Sequence, residues 1–200
     1  MFPDIVPPVS HPGTYDQTVE STPYVTGRIH ATFHQVLSDG LRPDAVSGAS
    51  GEQIDEMAAA QGVKVLPAAL RQVYRLIGTR SALWLAGSSF GTALDGGAVK
   101  SHALATLDRL PNPFADAQGM YVLVVHQAQT FHVIDGTDLT SGDPPVWLIA
   151  ADEAVIRGWD SVSGWFAAMA PDVARYRERL QLMRRHGNPI PPWARHLNAP

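Results

Sequence analysis

Short runs of β-branched and aromatic residues in the second half of the chain predict three β-strands. They occupy residues 120–125 (MYVLVV), 130–134 (TFHVI) and 146–150 (VWLIA). Such residues favour the pleated surface of a sheet, and the Asp135-Gly136 pair that follows the second run is typical of a turn. The hydrophobic pattern therefore predicts a sheet in this part of the chain.

Apolar residues at helical spacing predict two short helices before this sheet. Ser50 and Gln53 fit a capping box that opens the first helix, which breaks at Gly62. The second helix starts after Leu66-Pro67, and the apolar side of this helix holds Leu70, Val73, Tyr74 and Ile77.

Two further helices are predicted after the sheet. Serines open a helix within residues 161–169, and its apolar face holds Val162, Trp165, Phe166 and Met169. The last helix has Pro171 in its first turn and stops at Gly187, and its apolar stripe holds Val173, Tyr176, Leu180 and Met183. We expect this stripe to pack on the sheet.

The composition fits one folded domain with proline-rich extensions. Of the 200 residues, 45% are apolar and 17% are charged, which is enough for one well-buried core. Residues 1–27 contain five prolines and little apolar periodicity, and residues 187–200 are similar. We therefore predict an N-terminal extension (1–27), an α+β domain (28–186) and a C-terminal tail (187–200), in which Trp193 is a candidate anchor for the tail or for a partner.

The order of these segments resembles the SMI1/KNR4 family, also called the SUKH superfamily. The matching pieces are Gly62, Leu66-Pro67, Leu70, Tyr74, residues 142–147 (GDPPVW) and residues 163–169. The resemblance covers roughly residues 48–170. The chain departs from the family at Ala58, where a glutamate is usual, and at Ile77-Gly78, where an Asn-Gly pair is usual.

The resemblance implies an α+β fold in which several helices pack against a mixed or antiparallel sheet. Bacterial members of the family resemble immunity proteins that bind and neutralise a secreted toxin domain, and fungal members resemble regulators of cell-wall synthesis. Neither role implies a catalytic centre. The expected function is therefore non-catalytic binding of a protein partner, such as a basic toxin domain, with a regulatory scaffold as one alternative.

Charge is segregated along the chain, whose net charge is −4. Residues 111–174 hold eight acidic residues and one basic residue, whereas residues 175–200 hold one acidic and six basic residues. Solvated faces of alternating sign would explain this pattern, and so would an acidic face that steers a basic partner. Nucleic acid is a poor partner for such a face, whose candidate partner-binding residues are Asp116, Asp138, Asp143, Asp152 and Glu153.

A serine hydrolase of the α/β-hydrolase type is the other alternative. The run Gly87-Ser88-Ser89-Phe90-Gly91 satisfies G-x-S-x-G and follows the apolar residues 83–86. In that case Ser89 would be the nucleophile, Asp135 the acid, and His186 or His196 the base. Against it, Asp95-Gly96-Gly97 interrupts the helix that should follow the motif, and no upstream His-Gly oxyanion motif is present.

No metal or cofactor site is predicted. His30 and His34 would share one helical face, but zinc needs at least a third ligand, and the chain has no cysteine and no H-E-x-x-H motif. We expect Ile29, Phe33 and Val36 to form the buried face of that helix. His126 and His132 flank a predicted turn, so we expect both to be exposed.

The sequence favours a cytoplasmic protein. The first residues lack a basic region followed by an apolar run, and no apolar stretch reaches membrane-spanning length. The absence of cysteine excludes disulfides and is compatible with either redox compartment. No membrane partner is therefore expected, and the oligomeric state is left open.

Overall fold

Five antiparallel strands form one sheet, in which the strands lie side by side in chain order. The computed structural model describes residues 22–151 and 153–198. Its strands are β1 (Ser88–Phe90), β2 (Tyr121–His126), β3 (Thr130–Ile134), β4 (Val146–Ala150) and β5 (Ala154–Trp159). The three predicted strands are therefore confirmed as β2, β3 and β4, and β1 and β5 form the two edges.

Six α-helices accompany the sheet in the described part of the chain. They are α1 (Thr22–Ser38), α2 (Gly51–Ala60), α3 (Ala68–Ile77), α4 (Gly96–Leu107), α5 (Val162–Ala168) and α6 (Val173–Arg185). Together with the antiparallel sheet they make an α+β fold, as the sequence predicts. The helix α1 begins inside the segment that we assigned to the N-terminal extension, and residues 1–21 lie outside the described residues.

One face of the sheet is covered by α3 and α5, and α1 packs on these two helices. Trp84, in the turn after α3, is fully buried between two aromatic rings. Its ring stacks on those of Phe33 and Phe166, with centroids 5.9 Å and 5.2 Å apart. The predicted apolar faces are confirmed here, since Ile29, Leu70 and Trp165 are also fully buried. Burial of such large side chains is the main source of stability for this half of the domain.

The opposite face of the sheet is covered by α4 and the loop that follows it. Val99, Ala103 and Leu107 of α4 pack against strand residues that include Val122 and Phe131. Side chains of β2 alternate between the two cores, and a bulge between Val122 and Val124 interrupts this alternation, so that Leu123 and Val124 both enter the core on the side of α3 and α5. Both faces of the sheet are therefore buried.

The bulge in β2 is bonded to the end of α2. The Gln61 side chain is buried and bonds both backbone groups of Val122: its amide nitrogen donates to the carbonyl at 2.9 Å, and its oxygen accepts the N–H at 2.8 Å. Lys100 of α4 donates to the Gln61 carbonyl at 2.6 Å. Since unpaired buried backbone groups are costly, Gln61 stabilises the irregular part of the strand.

Side-chain caps start the helices close to the predicted positions. The predicted capping box is confirmed: the Gln53 N–H donates to the Ser50 hydroxyl at 3.2 Å, and the Ser50 N–H donates to the Gln53 side chain at 2.9 Å. The predicted position of Pro171 in the first turn of α6 is wrong. The N-cap of α6 is Asp172, the helix begins at Val173, and Pro171 precedes the cap. The cap requires a side-chain oxygen, which proline lacks.

The last helix and the tail lie against the domain differently from our expectation. α6 has no substantial contact with any strand of the described sheet, and only Val173 and Leu180 on it are buried. The rest of its surface is too strongly charged to enter a core. The tail folds back instead: Trp193 packs edge-on against Tyr176 at 5.1 Å, and Leu197 is buried.

Candidate functional site

Carboxylates gather at the end of the sheet where β3 finishes and β4 begins. We call this region the acidic end and define it by Asp116, Asp135, Asp138, Asp143 and Asp160. Asp135 and Asp143 flank the connection from β3 to β4, and Asp160 follows β5, whose Trp159 pairs with Val146. The antiparallel order of the strands therefore brings together acids that are up to 44 positions apart in the sequence.

Asp135 serves to hold the loop before β2. Its buried carboxylate accepts the N–H groups of Ala115 at 2.8 Å, Asp116 at 2.9 Å and Thr137 at 3.2 Å. The Asp116 carboxylate in turn accepts the Gly119 N–H at 2.8 Å. Both side chains are therefore engaged in charge-assisted bonds inside the protein.

Asp143 is likewise bonded within the domain. Its carboxylate accepts the Ser163 N–H at 2.8 Å and the Ser163 hydroxyl at 2.6 Å, at the start of α5. The positive end of the helix dipole favours a carboxylate at this position. The sequence run 142–147 that carries the family resemblance thus connects β4 to α5.

Asp138 differs from these three residues. Its half-buried side chain makes no hydrogen bond to another described residue. Burial raises the pKa of the Asp138 carboxyl, the negative charge of Asp135 raises it further, and Arg157 partly offsets the rise. Since Arg157 also pairs with Asp160 at 3.1 Å, Asp138 is the carboxylate at the acidic end with the least favourable surroundings.

The remaining two candidate residues do not lie at the acidic end. Glu153 is exposed in the hairpin between β4 and β5, and Asp152 lies outside the described residues. This hairpin is at the opposite end of β4, about 17 Å away for a strand of five residues. The residues of the predicted acidic face therefore lie at two ends of the sheet. Asp160 and Arg157 also lie at the acidic end, and sequence reasoning missed both because β5 was not predicted.

The G-x-S-x-G run does not form a strand-to-helix elbow. Its central residues form β1, and a single 3-10 turn at Gly91–Ala93 follows them. The apolar residues before it lie in turns rather than in a strand, and Leu85 has a positive φ of 55°. The structural context required for a nucleophile elbow is therefore not present around Ser89.

Strand register also separates the proposed triad residues. Ser89 pairs with Val125, whereas Asp135 comes one residue after Ile134, which pairs with Tyr121 at the other end of β2. Four residues along a strand span about 13 Å, which is far beyond hydrogen-bond reach. His186 ends α6 and is exposed, and His196 lies half-buried in the tail. The triad predicted for the hydrolase alternative is therefore not assembled.

A different serine and histidine do meet. The Ser88 hydroxyl lies 3.0 Å from Nδ1 of His126, its partner across β1 and β2. In the described residues no carboxylate bonds to His126. This pair joins an edge strand to its neighbour, and it lacks the third group that orients a catalytic histidine.

The two helix histidines behave as a polar face. His30 and His34 stack on α1 with ring centroids 6.0 Å apart, and His30 bonds to the Gln72 side chain at 2.9 Å. Ile29 and Val36 are buried as predicted, and Phe33 is half-buried. No group of three metal-binding side chains occurs among residues 22–151 and 153–198.

His132 is buried, so its predicted exposure is wrong. It is 9% exposed, and its Nδ1 accepts a hydrogen bond from Nε1 of Trp165 at 2.9 Å. Burial lowers the pKa of His132 to about 4, and the nearby His126 adds to the effect. The alternation of strand side chains contained this signal, since His132 and the buried Ile134 point to the same face of β3.

In comparisons with known proteins, neither a protein-family model nor a curated protein matches this chain. The described helices include none that combines the length and the apolar character needed to cross a membrane.

Proposed function

We propose that this chain is a non-catalytic binding protein that resembles bacterial SUKH immunity proteins and neutralises a secreted toxin domain by stoichiometric binding. The observation that carries the proposal is Asp138 at the acidic end. Its carboxylate is half-buried beside the charge of Asp135 and is not bonded to another described side chain or backbone group. A lysine or arginine from a partner would neutralise this charge.

The other carboxylates at the acidic end contribute in a second way. Asp116, Asp135 and Asp143 are bonded internally, so they supply a negative field without being available for new contacts. Such a field raises the rate at which a basic partner arrives in a productive orientation. Affinity then depends on the few side chains that are buried at the contact, of which Asp138 is the acidic member.

The fold is consistent with this proposal. Helices pack against an antiparallel sheet, as the resemblance to the SMI1/KNR4 family implies. The residues that carry the resemblance also have defined structural roles. Asp143 accepts the Ser163 N–H and hydroxyl at the start of α5, and the Tyr74 and Tyr121 hydroxyls are hydrogen-bonded at 3.1 Å in the core. The resemblance and the acidic end together support a binding function.

Capture of the partner tests the proposal. Tagged wild-type protein and the Asp138→Lys variant are used as baits in extracts of the native cells, and bound proteins are identified by mass spectrometry. We expect a secreted toxin domain in equimolar amount on the wild type and a loss of at least about tenfold on the variant, because like charges at a contact cost several kcal/mol. Equal capture by both baits would contradict the role of the acidic end.

Glu153→Lys is the matched control for that experiment. Glu153 is exposed and carries the same charge, but it lies at the opposite end of the sheet. We expect this variant to retain the partner. A loss as large as that of Asp138→Lys would show that net charge alone, rather than the acidic end, governs association.

A further inference from the structure

Three arginines from distant parts of the chain surround one small surface pocket. Arg42, Arg80 and Arg195 line it together with His196, and Asp44 and Ala45 complete its wall. Its volume is about 290 Å³. The three guanidinium groups outnumber the one carboxylate, so the pocket has a net charge of about +2 with His196 neutral.

Backbone pairing holds these residues in place. On one side the Arg42 N–H donates to the His196 carbonyl at 2.8 Å, next to a bridge between Leu41 and Leu197. On the other side Ser47 and Arg80 form a second bridge. The pocket is therefore built before any ligand arrives, which lowers the entropic cost of binding.

Two of the guanidinium groups also have defined orientations. Arg80 Nη2 donates to the backbone carbonyl of Asp44 at 2.8 Å, and Arg42 forms a two-point pair with the Asp44 carboxylate, in which Nε donates at 2.9 Å. Arg195 has no carboxylate within ion-pair distance among the described residues. The Arg195 guanidinium is thus available to bind an anion, and Arg80 and Arg42 retain N–H groups that the bonds above do not use.

We propose that this pocket binds the phosphate group of a small phosphorylated molecule, with Arg195, Arg80 and Arg42 as its ligands. Arginine suits this role because its planar fork donates two parallel hydrogen bonds to phosphate oxygens. A dianion matches the net charge of the pocket. The volume is close to the lower limit for small-molecule sites, which favours a phosphate with a small substituent over a polymer.

His196 reports on occupancy of the pocket. Burial lowers its pKa, and the positive charges of Arg195, Arg80 and Arg42 lower it further. A bound dianion would offset those charges. The pKa of His196 is therefore expected to rise when phosphate binds.

The test is an NMR titration of the His196 ring with inorganic phosphate, with malonate as a dianion that lacks phosphate geometry, both at constant ionic strength. We expect saturable shifts and a raised His196 pKa with phosphate and a weaker response to malonate. Absence of saturation, or an equal response to malonate, would overturn the proposal. Methyl phosphate then distinguishes a phosphate ester, which should bind at least as tightly, from a site restricted to the free ion.

Three variants give the residue-level test. Arg195→Ala should weaken phosphate binding by about tenfold or more, the usual effect of losing one hydrogen bond to a charged group. Asp44→Asn should strengthen it, since this change removes the competing carboxylate without enlarging the pocket. Arg109→Ala alters an exposed arginine outside the pocket and should have no effect. Equal weakening by Arg195→Ala and Arg109→Ala would contradict the assignment.

Discussion

Protonation of the buried His132 should destabilise this fold as the pH falls. Its Nδ1 accepts the Trp165 N–H, so the folded protein requires the neutral ring. The folded pKa is about 4, compared with 6.5 for the free side chain. Because the pKa is lowered by folding, the unfolded chain binds more protons between these two values, and stability must fall as the pH falls through that window.

The size of this effect follows from the two pKa values. One pKa unit corresponds to about 1.4 kcal/mol, so the free energy of unfolding should lose about 3 kcal/mol in total between pH 6.5 and pH 4. Such a loss is a large fraction of the stability of a domain of this size. Below about pH 4 both states are protonated at His132 and the contribution of this residue becomes constant.

Urea unfolding at a series of pH values measures this contribution. Tryptophan fluorescence is a suitable signal because Trp165 contacts the ring. The His132→Gln variant cannot titrate at this position, so the difference between wild type and variant isolates the histidine from the carboxylates that titrate in the same range. His34→Gln removes an exposed histidine and serves as the control. If wild type and His132→Gln lose stability with the same pH slope, the reasoning is refuted.

Three further substitutions test the core, the start of α5 and the serine motif. Trp84→Ala should cost about 3 to 5 kcal/mol of unfolding free energy, since the ring is fully buried between Phe33 and Phe166, and an unchanged urea midpoint would contradict this packing. Asp143→Ala should cost about 1 to 2 kcal/mol by removing the acceptor of the Ser163 N–H and hydroxyl in the first turn of α5, measured in the same way against Asp143→Asn, which should cost less because it keeps an acceptor. Ser89→Ala should leave partner capture unchanged, and a serine-reactive phosphonate should not label the wild-type protein at this residue; labelling that disappears in the variant would restore the hydrolase alternative.

The central strands were predictable because each is a compact run of β-branched and aromatic residues. β5 was missed since Arg157 and Gly158 interrupt its apolar pattern, and an edge strand needs less apolar surface than a central one. The capping box at Ser50 was also predictable, because both partners lie within four residues. Local chemistry is visible in sequence when the interacting groups are close along the chain.

The candidate site was less predictable because it depends on the tertiary arrangement. Asp143 was predicted as part of an acidic face, but its carboxylate bonds to Ser163, which is 20 positions away in the sequence. The arginine pocket was not predicted at all, since Arg42 and Arg195 become neighbours only through the bridge between Leu41 and Leu197. No spacing rule connects residues that are separated by most of the chain.

The most direct test of a stoichiometric binding function is a titration of the captured toxin domain with this protein, followed by measurement of the remaining toxin activity. We predict that inhibition increases linearly and is complete at one molecule of protein for each toxin molecule, and that Asp138→Lys shifts the titration to higher protein concentration. Complete inhibition by a small fraction of an equivalent would indicate turnover, and full toxin activity at a saturating concentration of protein would show that the toxin is not neutralised. Either result would contradict the proposed function.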